Sequence, residues 1–207
     1  NALNSNTTAS SNVAVGYQAG YSLTTASANL MVGYQAGRNT DGANVTAVGY
    51  NALYTNTSGN QNTALGFQPL FSNTTGAYNT AIGGSALQSN TTANNNTAVG
   101  YQAAYSNTTG LSNVALGAEA LTTNTSGALN VGVGARSLRL NTTANYNTAV
   151  GYKTLDVNTT GSANVAMGAE ALNSNTTASN NTAVGFQAAY SNTTATNNVA
   201  VGYKAGY

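Results

Sequence analysis

The sequence predicts an all-β fold, a parallel β-solenoid (β-roll) with about one 17-residue repeat per coil and twelve repeats. Three observations predict it. A glycine returns at Gly16, Gly33, Gly49, Gly66, Gly83, Gly100, Gly117, Gly134, Gly151, Gly168, Gly185 and Gly202, every step being 17 residues except the 16 between Gly33 and Gly49. The residues before each glycine keep one apolar pattern. Six of the nine charged residues also fall into opposite-sign pairs 17 apart. Such periodicity marks a stacked array, because each unit is too small to bury a core alone.

The copy Asn96–Ser112 serves as reference, with Asn96 as position 1 and Ser112 as position 17. Position 1 is Asn except at Val45, and position 2 is Thr or Val except at Leu30. Position 3 is Ala except at Met31 and Gly132, position 4 is Val, Leu, Ile or Met, and position 5 is Gly. This run is too short and too β-branched for a helix, and a glycine in every copy disfavours one. A short strand fits, with positions 2 and 4 on one face and 3 and 5 on the other. The large residues are expected to point into the coil. Ala98, Gly100, Ala115, Gly117, Ala149, Gly151, Ala183 and Gly185 then form an outward stripe small enough for another chain to approach closely. The other reading of that stripe is a local backbone need for glycine and flat packing within one chain.

A second apolar group at positions 8 and 9, as in Ala86-Leu87 and Ala120-Leu121, predicts a second short strand. A polar turn of the type Ser-Asn-Thr-Thr-Gly closes the copy. Positions 6 and 9 trade volume. Gly84, Ala118, Ala135 and Ala169 accompany Leu87, Leu121, Leu138 and Leu172, whereas Tyr17, Tyr34, Tyr101, Phe186 and Tyr203 accompany Gly20, Gly37, Ala104, Ala189 and Gly206. Close packing then predicts one shared space at a corner. In the 16-residue copy, Arg38-Asn39-Thr40-Asp41-Gly42 reads as a turn variant or a binding loop.

In-register stacking predicts inter-coil ion pairs Glu119–Arg136, Lys153–Glu170 and Arg139–Asp156, each roughly 5 Å apart. Exposed pairs of this kind contribute about 0–1 kcal/mol each. The triplet Asn-Thr-Thr/Ser recurs at Asn6, Asn56, Asn73, Asn90, Asn107, Asn124, Asn141, Asn158, Asn175 and Asn192. Formally these are glycosylation acceptors. The favoured reading is an Asn ladder whose side chains bond to their neighbours or cap the turn backbone. Glycans on every coil, ~5 Å apart, crowd one another. Sugar on the Thr pairs stays open.

Composition removes several classes of function. Charged residues are 4%, against roughly 25% in an ordinary domain. The net charge of +1 points to neither nucleic acid nor an anionic membrane. No apolar run of about 18 residues provides a membrane span. Histidine and cysteine are absent, which removes the commonest acid–base group and thiol chemistry. Asp41, Glu119, Asp156 and Glu170 form no catalytic constellation, and Gly83-Gly84 and Gly132/Gly134 match no phosphate loop. No enzyme, cofactor or metal is expected. A single rank of Thr per column does not make the flat two-rank array of an ice-binding face. Abundant Asn and Thr suit a prion-like tract, but the fixed register of the hydrophobic residues opposes disorder. Residues 1–207 read as a single repeat array that starts and stops in mid-repeat. The expectation is a segment of a longer fibre or an end-to-end filament.

Asn-Thr-Ala-Val-Gly, as in Asn96 to Gly100, resembles the Asn-Ser-x-Ala-Ile-Gly motif of YadA-type trimeric adhesin heads. The longer unit Asn-Thr-Ala-Val-Gly-Tyr-Gln-Ala-x-Tyr-Ser-Asn-Thr-Thr-Gly is similar to repeats in bacterial and phage tail-fibre-like proteins. The likeness covers essentially the whole chain, with a longer repeat than the adhesin head. It implies parallel β-rolls, three chains around one axis, in an extracellular, cell-surface or virion setting. The expected function is the shaft of a fibre, filament or adhesin that self-associates as a homotrimer or filament. The alternative is a glycan- or surface-binding module that presents Tyr and Asn/Thr columns to a receptor.

Overall fold

The computed structural model describes residues 1–207. Each of the twelve copies contributes one three-residue strand, from Val13–Val15 in the first to Val199–Val201 in the last. The strands form a single sheet in sequence order, every neighbour parallel. Register is in phase throughout: Thr97 pairs with Val114, Ala98 with Ala115 and Val99 with Leu116. The short copy keeps this phase, with Leu30 beside Thr46. The fold is therefore a β-solenoid, and at ~4.8 Å per strand it is a rod about 55–60 Å long.

Most of the stacking lies outside the sheet. Of 129 backbone hydrogen bonds, 22 fall within the strands and 107 in the turns, so the turns carry the register as much as the strands do. The second strand expected at positions 8 and 9 is absent. Positions 7, 9 and 17 are left-handed in every copy, as at Gln102 (φ 52°), Ala104 (φ 50°) and Ser112 (φ 55°). Two left-handed residues flanking position 8 fold the chain into a corner. A non-glycine residue pays about 1–2 kcal/mol for that conformation. Inter-coil bonds hold it in place, as when Leu87 N donates to Ala103 O at 3.0 Å.

The interior is narrow, and this reverses the predicted orientation of the strand. Ala98, Ala115, Ala149 and Ala183 are fully buried, whereas positions 2 and 4 point outward. A 17-residue coil has room for Ala at positions 3 and 8 and one Leu or Ala at position 9. It has no room for two ranks of β-branched side chains. Gly100, Gly117, Gly151 and Gly185 form no outward stripe either. At Gly100, with φ near 137°, an added Cβ would lie 2.6 Å from the carbonyl group of Gly117. Position 5 is glycine because backbone meets backbone there, so the small-residue interface is withdrawn.

The volume exchange also involves a different pair. Position 6 rings are exposed and position 9 is buried, so they share no space. The rings stack on one another instead, Tyr34 on Tyr50 at 5.1 Å and Tyr50 on Phe67 at 5.3 Å. At one point of the rod position 9 trades with position 3. Met31, the one large residue at position 3, lies between Gly20 and Gly37, where an added Cβ would come within 2.8 Å and 2.6 Å of its side chain.

Candidate functional site

Two columns of asparagine run through the interior. At position 12, Asn73 Nδ2 donates to Asn56 Oδ1 at 2.7 Å, Asn124 Nδ2 to Asn107 Oδ1 at 2.8 Å, and Asn192 Nδ2 to Asn175 Oδ1 at 3.2 Å. The ladder is unbroken through Asn90, Asn141 and Asn158. Each rung also donates to the carbonyl three residues on, as Asn107 does to Gly110 O at 3.0 Å. Asn6 stands apart, since Leu23 and Thr40 occupy position 12 in the next two copies. Its Oδ1 caps the Ala9 N–H within its own turn. From Asn56 to Asn175 the amide is fully buried and both of its hydrogens are donated. The folded rod therefore holds no N-linked sugar on these residues.

The second column, at position 1, carried no assigned role in the sequence. Asn96 Oδ1 accepts from the Asn113 backbone N–H at 2.8 Å, and Asn96 Nδ2 donates to Gly110 O at 2.9 Å. Gly110 O thus receives both Asn96 and Asn107, tying two sides of one coil across its interior. Gly127 O does the same for Asn113 and Asn124. The readable signal was a nearly constant Asn at two positions of a copy that is otherwise Ala and Leu inside.

The shortened copy is completed by a carboxylate. Elsewhere the position 13 carbonyl receives the N–H groups of the previous turn, as Thr91 O does from Thr74, Thr75 and Gly76. Here Asp41 Oδ1 takes that place, accepting from Thr24 and Thr25 at 3.0 Å and from Ala26 at 3.2 Å. Burial pushes the Asp41 carboxyl up, but these bonds and that of the Thr24 hydroxyl together hold it below its ordinary value.

The charged residues are placed less simply than a spacing of 17 implies. Arg139 Nε meets Asp156 at 2.7 Å, and Arg136 reaches the same carboxylate at 3.2 Å. Glu119 and Arg136 form no ion pair. Nor do Lys153 and Glu170: Glu170 accepts from Gln187 at 2.7 Å, and Lys153 lies 5.2 Å from the Tyr152 ring centre. Position 7 side chains reach in two ways. Arg136 goes to position 10 of the next copy, 20 residues on, as Gln68 meets Gln88 and Gln18 meets Arg38. Glu170 and Gln18 instead accept from position 7 of the next copy, Gln187 and Gln35.

The outer surface divides by charge. Glu119, Arg136, Lys153, Glu170 and Lys204 occupy position 7, Arg38, Arg139 and Asp156 position 10, and Asp41 the short turn. Positions 2, 4, 6 and 17, which make up the sheet face and its flanks, carry no charge in any copy. That face exposes Val13, Val15, Leu65 and Met167, with Tyr17, Phe67 and Tyr101 beside them. Tyr17, Tyr34, Tyr50 and Phe67 cover one another's faces. Tyr101 and Tyr152 have small residues on both sides at position 6.

No three His, Cys, Asp or Glu side chains converge on a point, and no helix is long and apolar enough to cross a membrane. The main cavity lies against the last coil, lined by residues such as Asn192, Ala200 and Tyr207. Compared with protein families, curated proteins and solved structures, the chain matches none.

Proposed function

We propose that this chain is a structural rod, the shaft of an extracellular fibre, filament or adhesin, built by lateral association of copies as a homotrimer or filament. The observation that carries this reading is the charge-free sheet face. A rod whose nine charges all sit at positions 7 and 10 and in one turn keeps its sheet face, Thr or Val at position 2 beside aliphatic residues at position 4, free of any charge to desolvate. Exposed apolar residues grouped on one face mark interaction surfaces. The face is ~55 Å long and about five residues, or ~16 Å, wide at strand spacing. That is on the order of 850 Å², the share one partner contributes to a standard interface. Even outlines on two copies allow parallel, level contact, which suits the adhesin-like resemblance.

The interior supports a mechanical rather than a chemical role. Two amide columns and a continuous backbone ladder make the coils interdependent along the rod. The glycan-binding alternative loses its Asn columns, which lie inside, and the ring faces that are covered in six stacked pairs. Sedimentation of the chain at micromolar concentration tests the reading. Multimers are expected, and Val99→Lys with Leu116→Lys should return monomers of unchanged circular dichroism. A wild-type chain that sediments only as a monomer refutes it.

A further inference from the structure

We propose that the Ser or Thr at position 14 of each full-length turn is a site of covalent O-linked glycosylation. Every full-length turn from Thr8 to Thr194 has a hydroxyl residue there. The fold explains its neighbours and not this one. At position 13 the hydroxyl is used by the rod: Thr74, Thr91 and Thr108 Oγ1 donate to the position 13 carbonyl of the next copy at 3.0, 3.2 and 2.9 Å. At position 12 the Asn amide is buried and fully bonded. Thr75, Thr92 and Thr109, at position 14, are exposed. Their hydroxyls bond nothing in the chain. Thr25, beside the shortened copy, is the one that does, reaching Asp41 at 3.4 Å.

Exposure alone does not demand a hydroxyl. Position 17 is equally exposed and holds Gln61, Tyr78, Leu129 and Ala163. Nor does the backbone demand one, since the position 14 N–H that donates to the next coil, as Thr75 N does to Thr91 O, is present in any residue except proline. A uniform, free hydroxyl column therefore points to chemistry outside the chain. In the transfer, Oγ attacks the anomeric carbon of a nucleotide-activated sugar. The new C–O bond forms as the bond to the nucleoside diphosphate breaks, the diphosphate leaves, and the hydroxyl proton passes to a base of the transferase. Successive hydroxyls stand ~4.8 Å apart, which leaves room for one small sugar per copy and none for branched chains.

This inference does not depend on lateral association. The test is mass spectrometry of the chain from its native source, with fragmentation that preserves sugar–peptide bonds. Sugar is expected on Thr75, Thr92 and Thr109 and absent from Thr74, Thr91 and Thr108. In the same host, Thr109→Ala should remove one addition and leave the melting midpoint unchanged. Thr108→Ala should keep every addition and lower the midpoint. Unmodified mass across these turns, or sugar at position 13 in place of 14, overturns the proposal.

Discussion

The first two complete copies, residues 12–44, and the copies that follow, residues 45–197, share one backbone and differ inside it. The later copies have Asn at position 12, bonded rung to rung from Asn56 onward. The first two have Leu23 and Thr40 there, both fully buried. They also hold Met31 where the others hold Ala or Gly, with Gly20 and Gly37 making room for it. Strand register is unchanged across the boundary, Val32 beside Val48 and Val48 beside Leu65. Register is thus set by backbone bonding and the glycine column. The interior can then be filled by polar rungs or by apolar bulk, provided each filling is complete in itself.

The comparison breaks most sharply at a middle rung. Asn124→Ala leaves the buried Asn107 Oδ1 without its donor and takes one of two partners from Asn141 Nδ2 and from Gly127 O. A buried group left unsatisfied costs about 1–3 kcal/mol, so a loss of ~3–5 kcal/mol is expected. Thr40→Ala, at the head of the column, removes only the bond from Asn56 at 2.8 Å and should cost ~1–2 kcal/mol. Urea midpoints of the two variants decide the matter, and equal losses would show that the ladder is no more cooperative than its end.

Apolar filling gives the next effect. Met31→Ala empties the space between Gly20 and Gly37 and should destabilise by ~2–4 kcal/mol. The reverse change, Ala81→Met, overfills a coil bounded by Leu70 and Leu87 and should cost ~1–3 kcal/mol. Adding Leu70→Gly and Leu87→Gly to Ala81→Met should recover part of that loss in thermal melts. If it does not, position 3 and position 9 are not the exchanging pair.

The fold was legible because backbone period is written directly in glycine spacing: Gly100 over Gly117 needs no side chain to be inferred. The facing of the strand was not. Thr97-Ala98-Val99 alternates large and small, and the usual expectation puts large inside. What overrides it is the bore of a 17-residue coil, a quantity no local pattern states. The Asn107 column was visible as a recurring triplet. The Asn96 column, equally constant, was missed because its partners are a backbone N–H one copy on and a carbonyl 14 residues ahead. Charges 17 apart suggested Glu119 with Arg136, but Arg136 at position 7 reaches Asp156 at position 10 of the next copy, while Glu170 takes Gln187 at position 7.

Asp41 separates the short copy from the others by pH. Its folded-state value lies below the ordinary 3.8. Its stabilisation is therefore complete above the ordinary value and is lost as pH falls through the folded one. Asp41→Asn keeps an acceptor without the charge and should cost about 1 kcal/mol at pH 7. The gap between wild type and variant should narrow in urea titrations below pH ~4. A gap that stays constant to pH ~2 would assign the effect to shape alone.

The smallest effect belongs to the outer edge of the later copies. Asp156 has 7% of its side chain exposed, Arg139 27% and Arg136 33%, so water screens the two cations more than the carboxylate between them. Arg139→Ala leaves Asp156 with Arg136 and should cost no more than ~0.5–1 kcal/mol. Asp156→Ala removes both bonds and leaves two unpaired guanidinium groups, so it should cost slightly more. Both losses should shrink in 1 M salt, where screening acts within ~3 Å, whereas the loss in Asn124→Ala should not. Edge and interior are then distinguished by salt alone: a salt-insensitive Arg139 variant would mean that its aliphatic stem contributes more than its charge.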